Sequence, residues 1–365
     1  MNFFRDPDVE QGQKNQGRLQ VGGWTLRVPR LLGFCGGVVH AVKAVQETIK
    51  KNPHKRIWIL GEIIHNDTVN DYFRRCGVIL LDEDKVAGAL HFFDKGDIVI
   101  IPAFGLEREL DTQVRQLAPK VRVVDTTCPK VKHIWDRLDE LAPEKRTIVI
   151  YGKPSHPETR ATLSRALRHD NAAILVPDIA HAEELAQSVR KGTLGTSYPR
   201  HLVRHADRVT LDKLALVNQT TMLYNETKKV EITLREAEFE RGGSLVNSET
   251  VCRATQHRQD AAREVCSDDC ELILVVGGYS SSNTTQLYRV ACTAATTFFI
   301  RNEACLGADV IKHYVPADKK VVESRNWRPP SGSTIGVLAG ASCPASDIGN
   351  VMRRLRSLAP RHINQ

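Results

Sequence analysis

Short apolar runs alternate along this chain with amphipathic stretches. Apolar residues recur at three- and four-residue spacing after Cys35 (Val38, Val39, Val42, Val45, Ile49) and after Cys128 (Val131, Ile134, Trp135, Leu138, Leu141). The pattern after Cys252 is sparser (Ala254, Ala261, Ala262, Val265). This spacing predicts a helix with one buried face in each stretch. A short apolar run follows each helix: Ile57 to Leu60, Thr147 to Tyr151 and Leu272 to Val276. Their length and composition predict buried strands. Each run ends in glycine, and Gly61, Gly152 and Gly277 lie 26, 24 and 25 residues beyond their cysteines. Four residues past each glycine stands a polar side chain: His65 in GEIIHND, His156 in GKPSHPE and Ser281 in GGYSSSN.

The parallel extends further. Second strands are expected at Val78 to Leu81, Ala173 to Val176 and Thr297 to Ile300, closing on Asp82, Asp178 and Asn302. Third strands at Ile98 to Ile101, Leu214 to Val217 and Ile335 to Leu338 run into the small-residue turns PAFG, NQTT and AGAS. Aligned on these turns, Phe104 corresponds to Thr220 and Ser342. A final strand leads into the next cysteine, as VRVVDTT does before Cys128. Trp24 to Val28 leads into Cys35, so this N-terminal strand is expected to complete the third sheet. Alternating strands and helices imply parallel α/β sheets. The fold class read from the chain is therefore α/β, three similar parallel-sheet modules with pseudo-threefold symmetry. Module 1 spans 31–124, module 2 spans 125–249, and module 3 spans 250–358 together with strand 24–30. Ligand sites in such sheets lie at the carboxyl ends of strands, where the three cysteines and the polar turns fall.

Composition narrows the class. The 365 residues are 41% hydrophobic and 26% charged, enough for sizeable cores and two or three domains. No apolar run approaches the ~20 residues of a membrane-spanning helix. The first residues, MNFFRDPDVEQGQKNQG, lack the apolar core of a secretory signal, so a soluble cytoplasmic protein is expected. The net charge of +8 suits an anionic ligand or an acidic protein partner. Without a dense Lys/Arg tract interleaved with aromatics, nucleic acid is not an expected partner. There is no G-x-G-x-x-G or Walker A string to hold a nucleotide. Residues 1–23 are polar and expected to be a flexible extension. Residues 187–212 and 316–333 are expected to be surface connections.

Nine cysteines without a C-x-x-C pair exclude a ribbon or thioredoxin-like motif, so any metal site must gather cysteines distant in sequence. Cys35, Cys128 and Cys252 occupy equivalent repeat positions. Three thiolates leave a [4Fe-4S] cluster one protein ligand short, which gives one iron an open site for substrate. A three-cysteine zinc site and three unrelated buried cysteines are the other readings. Cys76, Cys266, Cys270, Cys292, Cys305 and Cys343 are assigned to packing.

Eight motifs then fall in order: GFCGGV at Cys35, HN at His65, DTTCP at Cys128, HPE at His156, QTT at Thr220, C-x-A-T-x-x-R-Q at Cys252, SSN at Ser281 and AGAS at Ser342. Together, over roughly residues 25–358, they resemble the LytB family. The resemblance implies a trefoil of three α/β domains around a [4Fe-4S] cluster with one open iron site, held by Cys35, Cys128 and Cys252. It implies reductive removal of the allylic hydroxyl of 4-hydroxy-3-methylbut-2-enyl diphosphate, giving isopentenyl and dimethylallyl diphosphates in the non-mevalonate isoprenoid pathway. Glu158 is then the proton donor with Thr220 assisting. His65, His156, Ser281, Ser282, Asn283 and Ser342 form the diphosphate cradle. A ferredoxin or flavodoxin is the implied electron donor, and Arg190, Lys191, Arg200, Arg204 and Arg208 offer it a basic face.

One residue departs from the family pattern. The turn IPAFGLE carries Phe104 where the family has a histidine that contacts substrate. Losing one charge-assisted hydrogen bond costs about ten- to a hundredfold in affinity. A paralogous reductase with another substrate, and a non-catalytic cluster-binding or sensor protein, are the alternatives this substitution raises.

Overall fold

The computed structural model describes residues 2–195, 198–248 and 250–360. The chain divides into two compact units. One comprises Met1–Val39, Ile64–Phe73 and Arg253–Gln365, and the other His40–Ile63 and Arg74–Cys252. The second unit holds a four-stranded and a five-stranded sheet, and the first holds a seven-stranded sheet.

All three sheets share one four-strand parallel core. In the four-stranded sheet the order is Ile79–Leu81, Ile57–Leu60, Ile98–Ile101, Arg122–Asp125. In the five-stranded sheet it is Ala173–Val176, Thr147–Tyr151, Lys213–Asn218, Ser244–Asn247. In the seven-stranded sheet it is Thr296–Ile300, Leu272–Val276, Thr334–Ala339, Trp24–Arg27. The N-terminal strand does close the last sheet, with Thr25, Leu26 and Arg27 beside Thr334, Ile335 and Gly336. The central strands Thr147–Tyr151 and Leu272–Val276 are buried at every position. That burial is why they read as unbroken apolar runs rather than as alternating ones.

The helices after the cysteines form as their periodicity requires. Pro129–Leu141 buries Val131, Ile134, Leu138 and Leu141, with Pro129 favouring its first turn. Gly36–Lys51 buries Ala41, Val42, Val45 and Thr48. The sparse pattern of Arg253–Cys266 has a physical cause. Its inner face carries Arg258 and Gln259, and Arg258 donates to the Gly33 carbonyl at 2.7 Å, so a polar residue occupies an apolar position.

Three expectations are corrected. Residues 2–23 are not a flexible extension. They form the helix Pro7–Lys14 and the strand Arg18–Val21, which pairs antiparallel with Trp24–Arg27. The helix is anchored by Asp6 and Asp8, which pair with Arg353, a contact no local pattern reveals. Residues 316–333 are not only a connection, because Lys320–Arg325 pairs with Val310–Val315 in a hairpin at the sheet edge. Residues 187–212 are stitched down at several points. The Tyr198 hydroxyl donates to the Leu175 carbonyl at 2.7 Å, and Val203–Arg204 pairs with Ala173 and Ile174. Arg190 pairs with Glu240 and Arg208 with Asp170, so both cations are engaged within the chain. Thr196 and Ser197 of that stretch lie outside the described residues.

Candidate active site

At the carboxyl end of each sheet the third strand enters the same tight turn. Gly105 donates to the Pro102 carbonyl, Met222 to that of Gln219 and Cys343 to that of Gly340, at 2.9, 3.2 and 2.9 Å. One residue into each turn, a carbonyl accepts the amide of a cysteine. Cys128 donates to Ala103 at 3.0 Å, Cys252 to Thr220 at 3.0 Å and Cys35 to Ala341 at 3.1 Å. These bonds fix the register between repeats. Ala103, Thr220 and Ala341 are equivalent, and so are Phe104, Thr221 and Ser342. Alignment of the turn strings alone sets Phe104 against Thr220, one residue out. Gly105 has φ +75°, and a Cβ there would lie 2.3 Å from the Trp135 ring, so only glycine is accommodated.

The candidate residues fall into two constellations, one in each compact unit. In the unit that holds Cys128 and Cys252, the first turn of helix Pro157–Ala166 is capped by His156. Its Nδ1 accepts the Glu158 amide at 3.2 Å. An accepting Nδ1 places the proton of a neutral imidazole on Nε2. The Phe104 ring meets His156 edge-on, with centroids 5.7 Å apart. Phe104 therefore lies against a candidate residue. Arg165 supports this arrangement by donating to the Leu106 carbonyl at 3.0 Å and pairing with Asp111 at 2.9 Å.

Glu158 is buried. Its Oε1 accepts the Thr220 amide at 2.6 Å and its Oε2 accepts the Thr220 hydroxyl at 2.8 Å. Burial disfavours the charged form and raises its pKa to about 7, against the opposing effect of both bonds. An amide can only donate, so Oε1 is held as an acceptor. A proton on Glu158 belongs on Oε2, with the Thr220 hydroxyl turned to accept its hydrogen bond. Gln219 fixes the neighbouring loop. Its Oε1 accepts from the Lys153 amide and the Thr159 hydroxyl, and its Nε2 donates to Thr221 Oγ1 at 2.7 Å. Gln219 was missed as a contributor, although it stands in the QTT string.

In the unit that holds Cys35, helix Ser282–Ala291 is capped by Ser281, whose hydroxyl accepts the Thr284 amide. Ser342 Oγ donates to the His65 carbonyl at 3.1 Å and lies 3.4 Å from Ser281 Oγ. Asn283 Oδ1 accepts the Ala341 amide at 2.8 Å. His65, Ser281, Ser282, Asn283 and Ser342 are thus gathered and buried at the end of one sheet. Ser282 Oγ and Asn283 Nδ2 are buried with no hydrogen-bond partner. Unmet buried donors at a helix N-terminus are a setting for an anion. Asn66, beside His65, caps helix Asp67–Arg75 by accepting the Val69 amide at 3.1 Å.

Cys35, Cys128 and Cys252 are half-buried, each directly before a helix, whereas Cys343 is sealed in the core. Cys35 belongs to one compact unit and the other two cysteines to its neighbour. Among the described residues, no three His, Cys, Asp or Glu side chains form a group able to hold a metal ion. No described helix is long and apolar enough to cross a membrane.

Comparison with known proteins decides the family. The family model of the LytB protein matches residues 27–356. The chain belongs to the LytB family. The 4-hydroxy-3-methylbut-2-enyl diphosphate reductase of Gloeobacter violaceus is 33% identical over 96% of this chain and 87% of its own length. The enzyme of the same name from a Synechocystis species is 31% identical over 96% and 94%. Among solved structures, the E-1-hydroxy-2-methyl-but-2-enyl-4-diphosphate reductase of Plasmodium falciparum superposes with a TM-score of 0.67 at 23% identity, covering 90% of this chain and 87% of its own. A structure of (E)-4-hydroxy-3-methyl-but-2-enyl diphosphate reductase, the terminal enzyme of the non-mevalonate pathway, gives 0.56 at 24% identity, covering 91% and 99%. At these identities the two structures establish the LytB fold for this chain.

Proposed function

We propose that this LytB chain reduces 4-hydroxy-3-methylbut-2-enyl diphosphate, releasing the allylic hydroxyl as water and giving isopentenyl and dimethylallyl diphosphates. Two electrons and two protons are consumed. The observation that carries the reading is Glu158, a buried carboxyl held by the Thr220 amide and hydroxyl, where burial raises its pKa to about 7 and favours the protonated form. The same Thr220 that holds it presents its carbonyl to the Cys252 amide.

Each part of the chain then has a task. Hydroxide leaves poorly, so Glu158 Oε2 and the Thr220 hydroxyl deliver a proton toward the leaving oxygen. Ser281, Ser282, Asn283 and Ser342, with His65 and His156, bind the diphosphate and orient the allyl group. The Ser282 hydroxyl and Asn283 amide, without partners within the protein, are donors suited to the diphosphate oxygens. The three cysteines suit thiolate ligation of an iron–sulfur group. They are half-buried, their amides are anchored on equivalent carbonyls, and the helix N-termini beside them favour negative charge. When bound by Cys35, Cys128 and Cys252, a [4Fe-4S] cluster supplies electrons and an open coordination position. An acidic ferredoxin or flavodoxin in the cytoplasm is the donor that the basic charge of the chain suits. Each sheet with its helices is proposed as one module, at 31–124, 125–249, and 250–358 with 24–30.

The test is anaerobic turnover. Iron-loaded protein, a chemical reductant and the diphosphate substrate are expected to yield both five-carbon products. Loaded protein that consumes none of the substrate would overturn the reading.

A further inference from the structure

The N-terminal segment raises a question the proposed chemistry does not answer. Residues 2–8 precede the span matched to the family, yet Phe3 is fully buried. Its ring meets Tyr72 edge-on at 4.9 Å and lies 6.2 Å from Phe34. Phe4 meets Phe34 edge-on at 5.9 Å. The Phe3 carbonyl accepts the Ala345 amide at 2.9 Å. Each of these contacts reaches an element that carries a candidate residue. Phe34 immediately precedes Cys35, Tyr72 lies on the helix that follows His65, and Ala345 stands three residues after Ser342.

The segment is also fixed at its far end. Asp6 caps helix Pro7–Lys14 and receives both Nη atoms of Arg353, at 3.2 and 3.0 Å. Asp8 takes further bonds from Arg353 and Arg356, at 2.6 and 2.9 Å. Gly349 leaves the space that the Asp6 carboxylate fills, since a Cβ there would lie 2.1 Å from it. A polar tail that merely trailed from the domain would have no use for a glycine-cleared seat on helix Ala345–Leu358.

We infer that residues 2–8 are a positioning strap for the Cys35 half of the site, with Phe3 as the residue that holds the Phe34–Cys35 turn, the His65 helix and the Ser342 turn in register. Phe3 touches none of the reacting groups on this reading. It acts through Phe34 on Cys35. The inference concerns the cluster-bearing site proposed above and rests on that reading for its purpose, but not for its test.

The test uses the full-length chain carrying Phe3→Ala, with Phe3→Leu as the conservative variant. In the metal-free protein, alkylation of each cysteine by iodoacetamide is timed by peptide mass spectrometry. Loss of the Phe3 ring contacts to Tyr72 and Phe34 implies about tenfold faster labelling of Cys35 in Phe3→Ala. Cys128 and Cys252 are expected to be unchanged, and Phe3→Leu is expected to recover most of the protection. In reconstituted protein, iron passes to a chelator correspondingly faster. Equal acceleration at all three cysteines would reduce Phe3 to general stability and overturn the inference, as would no change at Cys35. Should Phe3→Ala fail to fold, Asp8→Asn releases the far end of the strap more gently, and the same selectivity for Cys35 decides. Failure of the proposed reaction appears differently, as absent turnover with the labelling pattern intact.

Discussion

Glu158 and Thr220 are joined twice, through the amide at 2.6 Å and the hydroxyl at 2.8 Å, so both oxygens of one buried carboxyl are governed by a single residue. Because the two bonds differ in kind, they divide the labour. The amide bond fixes geometry and the hydroxyl bond can reverse. Substitutions at these two positions therefore have distinct signatures.

Glu158→Gln is expected to lower kcat by about 10²- to 10⁴-fold, the usual contribution of a positioned acid, with KM changed little. In the parent, kcat/KM is expected to fall as pH rises through about 7, because the proton is lost from Glu158 of the free protein. Steady-state rates from pH 6 to 9 check both. A pH profile of the same shape in Glu158→Gln would remove Glu158 from the role.

Thr220→Ser keeps the hydroxyl and is expected to retain most activity. Thr220→Val keeps the amide bond and loses the relay, so a kcat loss of about 10²-fold is expected. Rapid-quench measurement of the chemical step separates the two. Equal rates in Ser and Val would mean that Glu158 delivers its proton directly.

Ser282→Ala should separate binding from stability. It removes a buried hydroxyl that has no hydrogen-bond partner within the protein, so the unfolding midpoint is expected to hold or rise. KM for the diphosphate is expected to rise about tenfold for the lost hydrogen bond. Calorimetric melting beside kinetics reads both directions in one protein.

Phe104→His places an imidazole edge beside His156. If the substrate is the diphosphate, KM should fall by about ten- to a hundredfold with kcat held within a few-fold. A rise in KM would show that the phenyl ring is matched to this chain's own substrate or to the seating of His156.

Three buried carboxyls set a stability trend. Burial raises Glu158 and Glu238 from 4.5 and Asp347 from 3.8, each to about 7. The folded chain thus holds more protons than the unfolded chain between those limits. This stabilisation is complete below about pH 4 and is lost as pH rises through about 7. The melting midpoint of the metal-free chain should fall between pH 5 and 7.5, and fall less in the double variant Glu158→Gln, Asp347→Asn.

What the sequence disclosed follows the range of the forces involved. Strands Ile57–Leu60, Thr147–Tyr151 and Leu272–Val276 were readable to the residue, because burial on both faces leaves an unbroken apolar run. The repeat also foretold that Trp24–Arg27 would join the last sheet. The grouping of Ser281, Ser282, Asn283 and Ser342 followed from the resemblance to the family, with the repeat placing only Ser281 and the AGAS turn at equivalent strand ends. The register at Phe104 was not, since it is set by cysteine amides bonding to carbonyls, a contact without side-chain signature. The N-terminal segment was misread for a related reason. Its helix buries only Val9 and Gly12, and its order comes from ion pairs to Arg353 and Arg356, some 345 residues away. The raised pKa of Glu158 comes from burial, which no local string discloses.

The placement of Trp24–Arg27 beside Thr334–Ala339 has a consequence for biosynthesis. Trp24–Arg27 leave the ribosome some 300 residues before their parallel neighbour is made. At typical elongation rates that interval is about 15–60 s. Throughout it, Trp24 and Leu26 lack the strand that will cover them. The nascent chain must carry an unfinished sheet edge through most of its own translation, and a ribosome that stalls before Thr334 leaves that edge open to chaperones, proteases or other nascent chains.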